Sequence, residues 1–265
     1  MIKIIFSDID GTLLNAEHAV MPATRQAILD LQDIPFVIVS ARSPSGIYPI
    51  MKKNGFRCPV IAYSGALILD EDRKIIYQRG MDAALAERIL EFIEDRKMPV
   101  TWCVYSGDEW IVKDKKDPRI IREEHIVEAE SIQGTIQSVP AGQPVHKILC
   151  ICEPGIVDTL EARIREAFPQ VNAVKSSDIL LEIMDEAVNK AEAVKLYCAH
   201  LGIDRRDAVA FGDNYNDVEM LEAVGYGIVM GNAPEDIRER FTHVTADHNH
   251  DGIAKALSRL TDRNE

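Results

Sequence analysis

The chain begins with a short apolar run, KIIFSD, and then alternates β-branched runs with amphipathic segments. PATRQAILDLQD has helical spacing and opens with Pro22, whose ring suits a first helical turn. PFVIVS reads as a second strand, SPSGIYPIMKKNG as a helix between a Ser43 cap and a Gly55 stop, and PVIAYS as a third strand. Strand, helix, strand, helix, strand predicts a parallel sheet with right-handed crossovers.

The rhythm then changes. LILDEDRKIIYQ predicts two short strands around a polar turn, and AALAERILEFIEDR an amphipathic helix. PVTWCVY and EWIVK are strands flanking Ser106 and Gly107, and DPRIIREEHIVEA is a helix with Pro118 in its first turn. SIQGTIQSVPAGQPVH has no dominant period. VHKILCICE, GIVDTLEARIREAF, VNAVKS and DILLEIM give strand, helix, strand, strand, a mixed sheet with helices.

After about residue 187 the first pattern resumes. NKAEAVKLYCAHLG is a helix ending at Gly202, DAVAFGD a buried strand, NDVEMLEAVG a helix and YGIVMGN a strand, and PEDIRERF and DGIAKALSRL close the chain as helices. The expected fold class is α/β. A doubly wound, Rossmann-like parallel sheet forms the core from residues 1-81 and 188-265, and residues 82-187 form an inserted α/β cap domain.

Composition narrows the partners. The 265 residues are 46% hydrophobic and 28% charged, ordinary globular usage with enough apolar material for a substantial core. A net charge of -13 repels polyphosphates, so no nucleic-acid partner is expected, although a metal and a few local cations can invert the field at one site. No apolar stretch approaches the roughly 20 residues of a membrane span, and the first residues lack a signal-peptide pattern, so a cytoplasmic protein without a membrane partner is expected. Five scattered cysteines suit reduced thiols, with Cys150 and Cys152 as packing residues of one strand.

FSDIDGT places Asp8 and Asp10 where a buried strand gives way to Gly11, at the carboxyl edge of the sheet where doubly wound folds bind ligands. Residues two apart point to the same side of a strand, and two carboxylates converging at its buried end need a cation or a shared proton. FGDNYND puts Asp213 and Asp217 after another apolar strand, hence at the same edge. Oxygen-only ligands favour Mg²⁺ over zinc. Ser40 ends the strand PFVIVS with a hydroxyl suited to an anion, and Lys190 opens a helix whose N-terminus favours negative charge.

These motifs, D-x-D-G-T, a strand-end Ser, a Lys before a later strand and G-D-x-x-N-D, resemble the haloacid dehalogenase superfamily over the whole chain. The likeness is to its Cof-type branch of sugar phosphatases with an α/β cap. The resemblance implies that Asp8 is the nucleophile and Asp10 the general acid and base. Ser40, Ala41, Lys190 and Asn216 would hold the phosphate. Asp8, the Asp10 backbone carbonyl and Asp213 would hold Mg²⁺ with Asp217 supporting them, and Arg42, Ser64 and Gly65 could contact substrate. The chain has Ser40-Ala41-Arg42 where relatives commonly show Thr-Gly-Arg or Ser-Gly-Arg, Lys190-Ala191 where they show Lys-Gly, and Ser64-Gly65-Ala66 where they show Ser-Asn-Gly-Ala.

The expected activity is therefore Mg²⁺-dependent hydrolysis of a small phosphate ester, a sugar phosphate first, through an aspartyl phosphate. Two alternatives share the acidic site: a phosphomutase or phosphotransferase that passes the phosphoryl group to a hydroxyl, and a phospho-receiver or phosphate sensor. Oligomeric state is not legible. His248 and His250 in DHNHDG read as surface, Trp102 and Trp110 as cap core, and Gly225, Gly227 and Gly231 miss the dinucleotide spacing.

Overall fold

The structure is a computed structural model that describes residues 2–31, 33–127 and 129–261. The contact pattern divides the chain into two units. One comprises Met1–Ala41, Ile50–Ile76 and Asn189–Glu265, and the other Arg42–Pro49 and Tyr77–Val188.

In chain order the first elements are β1 (Ile4–Ser7), α1 (Pro22–Leu29), β2 (Phe36–Val39), α2 (Pro44–Asn54), β3 (Val60–Ala62), β4 (Leu67–Leu69) and β5 (Ile75–Gln78). The inserted region supplies α3 (Ala83–Asp95), β6 (Val100–Ser106), β7 (Glu109–Val112), α4 (Pro118–Val127), β8 (Ile132–Gln133), β9 (Lys147–Cys152), α5 (Val157–Ala167), β10 (Val171–Lys175) and β11 (Leu180–Asp185). The last stretch carries α6 (Lys190–Leu201), β12 (Ala208–Gly212), α7 (Val218–Ala223), β13 (Tyr226–Val229), α8 (Glu235–Arg240), β14 (His243–Val244) and α9 (Gly252–Thr261).

The core sheet has eight strands in the order β14-β13-β12-β1-β2-β3-β4-β5. Its pairs from β14 to β3 are parallel and β3 with β4 is antiparallel. The order runs outward in both directions from the β12–β1 pair, so the strand ends at that junction form the crevice where a doubly wound fold receives its ligand. Every residue of β1, β2 and β12 is buried, the near-continuous apolar reading expected for strands covered on both faces. Local chemistry sets the start of α6: the Asn189 side chain accepts from the Glu192 amide, and Gly202 closes the helix in the left-handed region at φ 66°. The strand β14 was not anticipated, because two residues are too few to show a period.

The second sheet has six strands, β10-β11-β9-β6-β7-β8, all antiparallel neighbours except β7 and β8. Alternation sends Trp102, Val104, Ile148, Cys150, Leu181 and Ile183 to one face, where they pack with Ile89 and Ile93 of α3 and Leu160 and Ile164 of α5. The stretch without a clear period resolves into β8 and a 3₁₀ turn over Ile136–Ser138. Trp102 and Trp110 are both buried, Trp102 donating to Glu94 at 2.9 Å and Trp110 stacked on Tyr105. The five cysteines are unbridged and buried, as packing residues are. No helix among the described residues is long and apolar enough to cross a membrane.

Candidate active site

Asp8 follows directly on β1, and its amide donates to the Phe211 carbonyl of β12 at 3.0 Å, so it starts at the junction of the two central strands. The strand does not continue to Asp10. The amides of Thr12, Leu13 and Leu14 all donate to the Ile9 carbonyl, turning the chain; Asp8 is buried and Asp10 exposed. β1 ends at Ser7, so the turn, and not the two-residue alternation of a strand, places Asp10 relative to Asp8.

Asp213 and Asp217 follow β12. Among the described residues, Asp8, Asp213 and Asp217 bring carboxylate oxygens within 4.8 Å of one another. Their approach depends on two glycines. A Cβ at Gly11 would lie 2.3 Å from Asp213 Oδ2, and φ is +81° there; a Cβ at Gly212 would lie 2.5 Å from that of Asp217. The small residues of D-x-D-G-T and of G-D thus clear space for the carboxylates that follow or face them.

Lys190, at the first position of α6, is 2% exposed and donates to Asp8 Oδ1 and Asp217 Oδ1, both at 2.6 Å. The other oxygen of Asp217 accepts the amides of Asp213 and Asn214 at 3.1 Å, so Asp217 holds the backbone that carries Asp213. Asp213 is gripped in turn by Thr12 Oγ1 at 2.8 Å and by Asn232 Nδ2 at 3.1 Å. Ser40 directly follows β2 and is buried, its amide donating to the Ile61 carbonyl and its carbonyl accepting from the Ser64 amide. Ser64 is half-buried with φ 54°, Gly65 is buried, Ala41 and Arg42 are half-buried, and Asn216 is exposed on the 3₁₀ turn Tyr215–Asp217.

Three carboxylates face one ammonium in a site largely withdrawn from water. Burial is the dominant influence on Asp8 and pushes its carboxyl well above the usual range; Lys190 pulls the other way, while negative charge at Asp217 and Asp10 adds to the rise. Burial likewise pushes Asp213 up to about 6 against the pull of the Thr12 hydrogen bond. Burial also lowers Lys190, but Asp217 and Asp8 more than offset it, so the ammonium stays charged. Uncompensated negative charge on converging oxygen ligands is chemistry suited to a hard dication.

Thr12 and Asn232 are site residues that the sequence reading did not single out. Asn232 had a usable signal: it follows the apolar run YGIVM and so falls at the same sheet edge as Asp8 and Asp213. His250 is exposed and pairs with Asp247 as a surface residue should, whereas His248 is half-buried with its amide donating to Asn232 Oδ1, so only one of the two histidines is plain surface.

An acidic cluster with a buried lysine at the crevice of a doubly wound sheet is a site suited to a hard cation and a phosphoryl group. Residues 5–257 match the haloacid dehalogenase-like hydrolase family, and the chain belongs to it. A Haemophilus influenzae protein provisionally named a phosphatase is 35% identical over 260 residues, 97% of each chain. The HMP-PP phosphatase of Serratia proteamaculans is 28% identical over 239 residues, 88% of this chain and 85% of that one. The crystal structure of a haloacid dehalogenase-like hydrolase from Bacteroides thetaiotaomicron superposes with a TM-score of 0.90 at 23% identity, covering 98% of this chain and 100% of the other. The protein is a phosphoric monoester hydrolase of the Cof-type branch.

Proposed function

We propose that the protein is a Mg²⁺-dependent phosphatase of a small phosphorylated metabolite, a sugar phosphate first, acting through an aspartyl phosphate on Asp8. The observation that carries this reading is the buried Asp8 carboxylate with Lys190 Nζ at 2.6 Å from it and from Asp217. A carboxylate so enclosed is shielded from water, positioned by one cation, and placed at the sheet edge where a phosphate can enter.

In the first half-reaction an Asp8 oxygen attacks phosphorus while the bond to the leaving oxygen breaks. Asp10, exposed two residues on, donates its proton to that oxygen. The Ser40 hydroxyl, the Ala41 backbone, Asn216 and the Lys190 ammonium meet the phosphoryl oxygens. In the second half-reaction Asp10 takes a proton from water, the water oxygen bonds to phosphorus, and the phosphorus–Asp8 bond breaks to release phosphate. Asp8 and Asp213, with the Asp10 carbonyl, would hold Mg²⁺ and Asp217 would steady them; the bound ion would neutralise charge on the phosphoryl oxygens and keep buried Asp8 ionised. Arg42, Ser64 and Gly65 would meet the rest of the substrate. The reaction belongs in the cytoplasm, where buried thiols stay reduced.

A panel of sugar, polyol and other small phosphate esters assayed for phosphate release with and without Mg²⁺ tests the reading. We expect turnover that chelation abolishes and that Asp8→Asn reduces at least about a thousandfold, as loss of a nucleophile does. Turnover that persists in chelator, or in Asp8→Asn, would contradict it. Transfer of the phosphoryl group to an added sugar in preference to water would reassign the protein as a phosphotransferase.

A further inference from the structure

Asn232 lies just beyond β13, remote in sequence from both acidic motifs, yet its side chain joins them. Nδ2 donates to the Gly11 carbonyl at 2.9 Å and to Asp213 Oδ2 at 3.1 Å, and Oδ1 accepts from the His248 amide at 3.1 Å. This network fixes which way the amide points. The His248 backbone N–H can only donate, so Oδ1 must face it, and the two amide hydrogens then face two oxygen acceptors.

The consequence for Asp213 is geometric. Thr12 Oγ1 donates to Oδ1 and Asn232 to Oδ2, so the carboxylate is held from two segments and cannot rotate without breaking a bond at one end. Each oxygen still has a second lone pair to offer a cation. The same Asn232 amide holds the carbonyl of Gly11, one peptide beyond Asp10, and Gly11 is the residue whose missing side chain lets the turn approach Asp213. Thr12 and Asp217 each reach Asp213 or its backbone from one loop, whereas Asn232 ties the loops after β1, β12 and β13 together. Its bonds to Gly11 and Asp213 span 221 and 19 residues of sequence.

We propose that Asn232 is a positioning residue for the metal site, holding the Asp213 carboxylate and the peptide after Asp10 in the mutual geometry that Mg²⁺ requires. This rests on the Mg²⁺ reading given above. It separates Asn232 from residues that touch the phosphate: its loss should weaken metal binding and leave ester binding to the loaded enzyme nearly intact.

The test is calorimetric titration of Mg²⁺ into the full-length protein, wild type and Asn232→Ala, followed by steady-state kinetics at saturating Mg²⁺. Groups that orient metal ligands typically contribute 10- to 100-fold in affinity, so the Mg²⁺ dissociation constant should rise at least about tenfold. KM for the ester at saturating Mg²⁺ should stay within about twofold of wild type. A loss of general folding alone would move neither quantity in this pattern, and melting in chelator records it separately. If Asn232→Ala does not fold, Asn232→Ser, which is too short to bridge both acceptors, carries the same expectation. An unchanged Mg²⁺ constant in a folded variant overturns the positioning role while leaving the phosphatase reading intact. A wild-type protein that binds no Mg²⁺ overturns both.

Discussion

The two units bury polar groups in different ways. In the core, Asp8, Thr12, Ser40, Lys190 and Asp217 are all buried near the carboxyl ends of parallel strands, and Lys190 meets two carboxylates at 2.6 Å. In the inserted unit, Ser106, Ser131, His146 and Lys147 are buried separately, with Ser106 donating to the Pro144 carbonyl, Ser131 to Glu124, and Lys147 lying 3.6 Å from Glu182. Scattered buried polar groups with mostly local partners are how a fold closes its hydrogen bonds. A cluster with three carboxylates and one ammonium is different, because removing several charges from water costs more than their attraction returns. The surplus negative charge in the core therefore marks a place shaped for a ligand, whereas the inserted unit's buried polar groups are consistent with folding alone.

Replacing a lysine by methionine in each unit would break or sharpen this contrast. Lys190→Met removes the cation that bridges Asp8 and Asp217, and unpairing buried carboxylates costs about 3 kcal/mol or more. We expect a large fall in melting temperature in chelator, partial recovery with Mg²⁺, and loss of phosphate release. Lys147→Met, whose partner is 3.6 Å away, should lower the melting temperature less. Equal losses at the two positions would show that the core's cluster is no more strained than any buried pair.

A smaller effect separates the units by pH. Burial pushes His146 down from an ordinary 6.5 to about 4. A depressed folded value means that the neutral form is the folded one, so His146 supports the fold above pH 6.5 and that support drains away as pH falls towards 4. Both tryptophans, Trp102 and Trp110, lie in the inserted unit, so their fluorescence follows it selectively. The tryptophan-monitored midpoint in denaturant should fall as pH drops from 6.5 to 4, and His146→Gln should flatten that slope. An unaltered slope would remove His146 as its cause.

Much of the architecture is legible because strongly apolar strands such as KIIFSD and DAVAFGD, and helix stops such as Gly202, are local signals. The acidic pairs are legible for the same reason, since each follows such a strand and the doubly wound topology brings those strand ends together. What escapes is geometry settled by turns and by long-range partners. The three amides on Ile9 make the turn that leaves Asp10 exposed beside buried Asp8, and the bond from Lys190 to Asp8 spans 182 residues. Asn232 is a single amide side chain whose partners come from the loops after three strands, and its role appears only when those loops are folded against each other.

The central claim is that Asp8 carries the phosphoryl group. Single-turnover reactions of wild type and of Asp10→Asn with an accepted ester, quenched in acid, reduced with borohydride and digested, test it by mass spectrometry of the peptide containing residue 8. The account predicts conversion of Asp8 to homoserine, the reduction product of an aspartyl phosphate, and a slower decay of that product over time in Asp10→Asn because attack by water has lost its base. Phosphate release with Asp8 unmodified in both proteins would contradict it.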